Sequence, residues 1–175
     1  MKVLVTGAAG QLGTDLCELL LGQSHEVVPF SRRQADFSVP EQVGDAVAAV
    51  AADWVINCAA YTQVDRAESE PELAYRVNRD SAAAVARAVR GYGGRLLQVS
   101  TDFVFDGHAS TPYAEDREGA ALGVYGLSKW EGEQAVREAL PEVPASTFGP
   151  RPRTLQLPSR IRTSSSPLSS RRCWP

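Results

Sequence analysis

Lys2-Val3-Leu4-Val5-Thr6-Gly7-Ala8-Ala9-Gly10-Gln11-Leu12-Gly13 is the stretch on which the reading of the fold turns. A short apolar, β-branched run predicts a strand. Glycines follow at Gly7, Gly10 and Gly13, and Leu12, Leu16, Leu19 and Leu20 then recur at helical spacing as far as Gly22. Strand, glycine turn and amphipathic helix in that order form the context in which a glycine pattern binds a dinucleotide. The turn needs a residue without a Cβ, the pyrophosphate needs close approach of the backbone, and the helix start offers free N–H groups and a positive dipole end. Gly13 lets the helix pack closely on the sheet. A tight structural turn is the competing reading of the same glycines.

Outward from this unit, strands and helices alternate. Glu26–Phe30 and Trp54–Cys58 read as apolar strands, with a helix marked by Val43, Val47 and Val50 between them. Leu73, Val77, Ala84, Val85 and Val89 predict one long helix ending near Gly91, Gly93 and Gly94. Arg95–Ser100 is a further strand, and Tyr125–Leu140 a further helix with Glu131 and Glu133 on its polar side. Continuously apolar strands alternating with helices predict an α/β domain: a Rossmann-type doubly wound parallel sheet covered on both faces. Its expected span is residues 1–144.

Residues 145–175 break the pattern. They hold seven Ser, six Arg and five Pro, no acidic residue and no apolar period, the composition of a disordered segment. A natural disordered tail and a shifted reading frame are both compatible with so abrupt a change. The net charge of −3 therefore divides into −9 before residue 145 and +6 after it. An acidic body gives no reason to expect nucleic acid as a partner. No run reaches the roughly 20 apolar residues of a membrane span, and Met1–Thr6 lacks the layout of a signal peptide. Cys17, Cys58 and Cys173 are odd in number, widely spaced and without metal-like pairing, so reduced thiols, no metal and a cytoplasmic location are expected.

Two features bear on chemistry. After the second strand, an acid would hold the ribose 2′-hydroxyl of NAD, whereas an arginine can hold the 2′-phosphate of NADP. Phe30-Ser31-Arg32-Arg33, with no acid before Asp36, leans to NADPH over NADH, a solvated arginine pair being the other reading. Tyr125 and Lys129 lie four apart on one helix face. A neighbouring ammonium favours the phenolate, and such a tyrosine can deliver a proton to a carbonyl oxygen as hydride arrives at its carbon. Ser100-Thr101 closes the preceding strand at the carboxyl edge, where a hydroxyl can orient that carbonyl.

Together with Asn57-Cys58-Ala59-Ala60-Tyr61-Thr62, these motifs resemble the extended short-chain dehydrogenases/reductases that act on nucleotide sugars. Val64-Asp65-Arg66-Ala67-Glu68-Ser69-Glu70-Pro71 and Ser100-Thr101-Asp102-Phe103-Val104-Phe105-Asp106-Gly107 narrow the resemblance to the dTDP-4-dehydrorhamnose reductase family, from Met1 to about Leu140. The resemblance implies NADPH-dependent reduction of the 4-keto group of dTDP-4-dehydro-L-rhamnose to dTDP-L-rhamnose. It assigns Tyr125 as proton donor, Lys129 to tuning Tyr125 and binding the nicotinamide ribose, Thr101 to the substrate carbonyl, and Thr101 with Asp102 to the sugar. Gly7, Gly10, Gln11, Leu12 and Gly13 line the pyrophosphate in that scheme. Asp36 and Phe37 flank the adenine, Ala60, Tyr61 and Thr62 run along the cofactor, and Val99 lies near the nicotinamide. A nucleotide-sugar substrate and a homodimer are the partners it implies.

The family continues with a C-terminal lobe that grips the sugar, where this chain carries its Ser/Arg/Pro segment. Weak or absent turnover of the 175-residue polypeptide is therefore expected. Sister epimerases and 4,6-dehydratases share the glycine loop and the Tyr–Lys pair. A dehydratase usually carries an acid right after Thr-Asp, and Phe103 stands there instead. A non-catalytic, reductase-like regulatory subunit is the alternative from another class.

Overall fold

Four parallel strands, β1 (Lys2–Thr6), β2 (Glu26–Phe30), β3 (Trp54–Asn57) and β4 (Arg95–Gln98), form one sheet in the order β2-β1-β3-β4. The computed structural model describes residues 1–111, 113–114 and 117–141. The Ser/Arg/Pro segment expected over 145–175, and the boundary expected at 144, lie outside the described residues.

The helices are α1 (Gln11–Gly22), α2 (Pro40–Val50), α3 (Val64–Ala67), α4 (Pro71–Tyr75), α5 (Ser81–Tyr92) and α6 (Val124–Ala139). Successive strand residues point to opposite faces, and the burial follows that alternation. Leu4, Val55 and Leu96 face a large core with Val43 and Val47 of α2, Val85 and Val89 of α5 and Val136 of α6. Val3, Val5 and Ile56 face a smaller cluster supplied by Leu16, Cys17 and Leu20 of α1. The expected doubly wound α/β architecture is what forms.

Two sequence expectations change. The long helix over Leu73–Val89 is continuous but not uniform: Arg76–Asp80 is wound as a π-helix between α4 and α5. The wider turn accommodates Asn78, which is buried and bonds both to Tyr61 and to Ser128. Such insertions are frequent at functional sites. The second change concerns Glu133. Expected on the polar side of its helix, it is only 5% exposed, its carboxylate turned to the Ser100 hydroxyl beyond β4 and covered by Arg137.

Candidate active site

β1 and β3 are neighbours in the sheet, yet the chain leaves β1 toward α1 on one face and reaches β3 from α2 on the other. At such a switch point the connections diverge and leave a crevice beyond the carboxyl ends of the strands. The glycine loop lies there. Gly7 adopts φ +64°, open to glycine at no steric cost, and a Cβ on it would meet the Ala59 nitrogen at 2.8 Å. A Cβ on Gly13 would lie 2.3 Å from the Gly7 carbonyl oxygen, and one on Gly10 would lie 3.2 Å from it. Gly10 precedes α1 with no side-chain cap, and Gln11 and Leu12 are exposed on its first turn. Backbone too close for a Cβ, leading into an uncapped helix start, fits the pyrophosphate of a dinucleotide.

The amide of Ala8 donates to the Phe30 carbonyl at 3.0 Å, tying this loop to the end of β2. Arg32 and Arg33 follow and are exposed, as is Asp36. The Asp36 carboxylate accepts from the Ser38 amide (2.9 Å) and hydroxyl (2.8 Å). These bonds, the amide first, hold its carboxyl below the usual range, with Arg32 adding a smaller pull. The Phe37 side chain belongs to the large core, so only its main chain is available to an adenine. Asp36 and Phe37 follow the outer strand β2, at the far side of the sheet from β4.

Across the carboxyl ends of three strands runs a polar chain that sequence reasoning missed. Thr6, Asn57 and Gln98 are in register on β1, β3 and β4 and all are buried. The Thr6 hydroxyl donates to Asn57 Oδ1, and Asn57 Nδ2 donates to Gln98 Oε1 at 2.7 Å. Gln98 Nε2 donates to the Val99 carbonyl at 3.1 Å, and the same carbonyl accepts from Lys129 Nζ at 2.7 Å. The available signal was a polar residue closing β1, β3 and β4, just where a buried sheet would otherwise end apolar.

Tyr125 and Lys129 do share one face of α6, at 8% and 5% exposure. The helix is anchored at three points. Glu68 Oε1 accepts from the Val124 amide at 2.8 Å, a carboxylate placed on a helix start with no cap of its own. Asn78 Nδ2 donates to the Ser128 hydroxyl (2.9 Å), and that hydroxyl donates to the Tyr125 carbonyl (2.8 Å). Asn78 also accepts from the Tyr61 amide (2.8 Å) and donates to its carbonyl (3.1 Å), which fixes the Ala60–Thr62 segment against the same helix. Finally, the Ser100 hydroxyl donates to Glu133 Oε1, and Arg137 donates to Oε2 at 3.4 Å.

The electrostatics differ from expectation in one respect. Burial pushes the Tyr125 phenol above its ordinary value; a hydrogen bond with Thr101 draws it back, and the Asp102 charge raises it further. The expected lowering by Lys129 is absent because the ammonium is directed at the Val99 carbonyl. Burial also brings Lys129 down to about 8, against the upward influence of Glu133 and Cys58. Thr101 starts a short 3-10 turn, Asp102–Val104, its hydroxyl accepting from the Phe103 amide and donating to Asp102. The Phe103 ring stands edge-on to Tyr125, centroids 5.5 Å apart. Thus Tyr125, Lys129, Thr101, Val99 and Tyr61 are linked around one end of α6, with Asp102 exposed at its border. Asn57, Asn78, Gln98, Ser128 and Glu133 complete the constellation and were not predicted. Chemically it presents a phenol and a hydroxyl to a crevice, backed by a buried amine.

Residues 1–145 match the family described as the RmlD substrate binding domain. The dTDP-4-dehydrorhamnose reductase of Streptomyces griseus is 45% identical over 139 residues, 79% of this chain and 46% of that protein. Among solved structures, the dTDP-4-dehydrorhamnose reductase of Bacillus anthracis in complex with NADP is similar at a TM-score of 0.75 and 40% identity, over 79% of this chain and 49% of that one. An ortholog from Clostridium acetobutylicum gives 0.77 and 38%, over 82% and 51%. The chain spans about half the length of the curated relatives it matches.

Proposed function

Because this chain belongs to the RmlD substrate binding domain family, we propose that it carries the cofactor-binding and proton-donating half of a reductase converting dTDP-4-dehydro-L-rhamnose to dTDP-L-rhamnose. The observation that carries the reading is the pairing of Tyr125 and Lys129 on one buried face of α6, with Lys129 held at the Val99 carbonyl and the Thr101–Phe103 turn packed edge-on against Tyr125. The glycine loop would take the pyrophosphate, with Gly7, Gly10, Gln11, Leu12 and Gly13 around it. Arg32 and Arg33 favour NADPH over NADH by offering cations to a 2′-phosphate. When bound, NADPH supplies the hydride.

Thr101 orients the 4-keto oxygen and donates to it as negative charge gathers there. Tyr125 passes its phenolic proton to that oxygen, so carbonyl, hydride and proton together give the alcohol, and the phenolate recovers a proton from solvent. A phenol held high by burial stays protonated until that moment. Lys129, held at the Val99 carbonyl, would bind the nicotinamide ribose. Asp102 borders the sugar, and Ala60, Tyr61 and Thr62 line the cofactor. Phe103 against Tyr125, where an elimination would call for a carboxylate, favours plain reduction.

Loss of NADPH absorbance on adding the keto-sugar tests the reading, with NADH as the comparison. The family resemblance assigns the sugar grip to a C-terminal lobe, so the 175-residue polypeptide is expected to bind NADPH but turn over slowly; a rate equal to a full-length relative's would overturn that part. In a version completed with a relative's C-terminal half, Tyr125→Phe should lower kcat by roughly 10²-fold or more, with little change in NADPH affinity. Retained kcat would move the proton-donor role elsewhere.

A further inference from the structure

We propose that Glu133 is the buried counter-ion of Lys129, a positioning residue that keeps this ammonium charged and in place, an inference that rests on the role given to the Tyr125–Lys129 pair above. Glu133 follows Lys129 by four residues, one turn along α6 on the same face, and both are 5% exposed. A carboxylate is almost never buried so completely unless it is paired.

Two adjacent residues beyond β4 hold the two charges. The Val99 carbonyl takes the ammonium at 2.7 Å, and the Ser100 hydroxyl donates to Glu133 Oε1. Arg137, half-exposed, holds Oε2 from the solvent side at 3.4 Å. The carboxylate is therefore fixed in position by Ser100 and Arg137, one helical turn from an amine with little water around it. At low effective dielectric an opposite charge one helical turn away acts against loss of the proton.

The other groups facing Lys129 do not supply that charge. From the end of β3 comes the Cys58 thiol, which burial pushes up to about 11 and so keeps neutral. Tyr125, on the same helix, is held protonated by burial. Asp102 acts on Tyr125 from the exposed border of the site. Glu133 is the first group to raise Lys129 against the desolvation that lowers it. Glu131, its neighbour in sequence, is engaged instead with Arg79 at 3.0 Å.

The chain has only two lysines, Lys2 and Lys129, so selective 15N-lysine labelling of the 175-residue protein gives two side-chain nitrogen signals that can be titrated separately. Glu133→Gln is expected to make Lys129 about tenfold more acidic, leaving Lys2 unmoved. An unchanged Lys129 titration overturns the assignment. Arg137→Gln removes a half-exposed cation, keeps the carboxylate, and is expected to move Lys129 in the alkaline direction; an acid shift overturns it. A general loosening of the fold would move both variants the same way, whereas a counter-ion predicts opposite signs. NADPH binding by fluorescence quenching is followed in parallel. If Lys129 responds as expected while no NADPH binds at any pH, the counter-ion assignment stands and the dinucleotide reading fails.

Discussion

Lys129 is a long side chain whose amine is buried and whose acidity is brought to about 8 from an ordinary 10.5. That difference has a consequence for stability. Below about pH 8 both native and unfolded chains hold the proton, and the native state bears the full penalty of burying the charge. Between about 8 and 10.5 the unfolded chain binds more protons than the native one, so this residue's contribution to stability rises with pH. Lys129→Met removes the titration. Its stability relative to the parent chain in urea should therefore fall between pH 7 and pH 10, by on the order of 2–3 kcal/mol. A pH-independent difference between the two would show that the amine is not desolvated on folding. The surrounding polar residues obey the same logic, since Thr6, Asn57 and Gln98 are buried and each satisfies the next. Truncating one would leave its neighbours unpaired in a medium of low dielectric.

Among the elements, α6 does most to assemble the site, and small residues let it do so. A Cβ on Gly132 would lie 2.2 Å from the Asn78 carbonyl oxygen, in the π-turn. One on Gly126 would lie 2.3 Å from that of Phe103. The helix is thus in backbone contact with the two segments that carry Asn78 and Thr101. Gly44 of α2 is different, because a Cβ there would meet only Ala84 at an ordinary 3.7 Å. Two glycine-to-alanine changes should then have opposite signs. Gly132→Ala should destabilise by about 3 kcal/mol, because backbone must move. Gly44→Ala should stabilise by about 0.5–1 kcal/mol through helix propensity. Urea titrations of both variants check the pair, and a stabilising Gly132→Ala would mean that α6 does not sit this close to the π-turn.

For the molecule as a whole, the two faces of the sheet are unequally covered. Among the described residues, α2, α5 and α6 close one face, while α1 packs against the other, where Val27, Trp54 and Leu97 remain only partly buried. Leu96 and Leu97, adjacent on β4, sample the two sides: Leu96 is fully buried and Leu97 is not. The same deletion should accordingly differ in effect. Leu96→Ala is expected to lower stability by about 3–5 kcal/mol, and Leu97→Ala by about half of that or less, since fewer atoms lose contacts and the gap opens toward solvent. Equal losses in denaturant unfolding would place a comparable core on the α1 side.

Local pattern determined much of this protein. Apolar runs of strand length alternating with helical periods dictated a doubly wound parallel sheet, and Gly7, Gly10 and Gly13 located the tight turn between β1 and α1, because those constraints act between residues close along the chain. The four-residue spacing of Tyr125 and Lys129 put them on one helix face for the same reason. What sequence could not supply is whatever depends on approach between distant segments. Glu133 reads as a solvent-facing residue until α6 packs down beside Ser100, and Asn78 reads as one more position in a helix until the π-turn aims it at Tyr61 and Ser128. The expected acidification of Tyr125 also reversed, because burial opposes forming a phenolate and the Val99 carbonyl takes up the ammonium. Spacing specifies which side chains share a face; desolvation and long-range partners, which exist only once the chain has folded, set their charge.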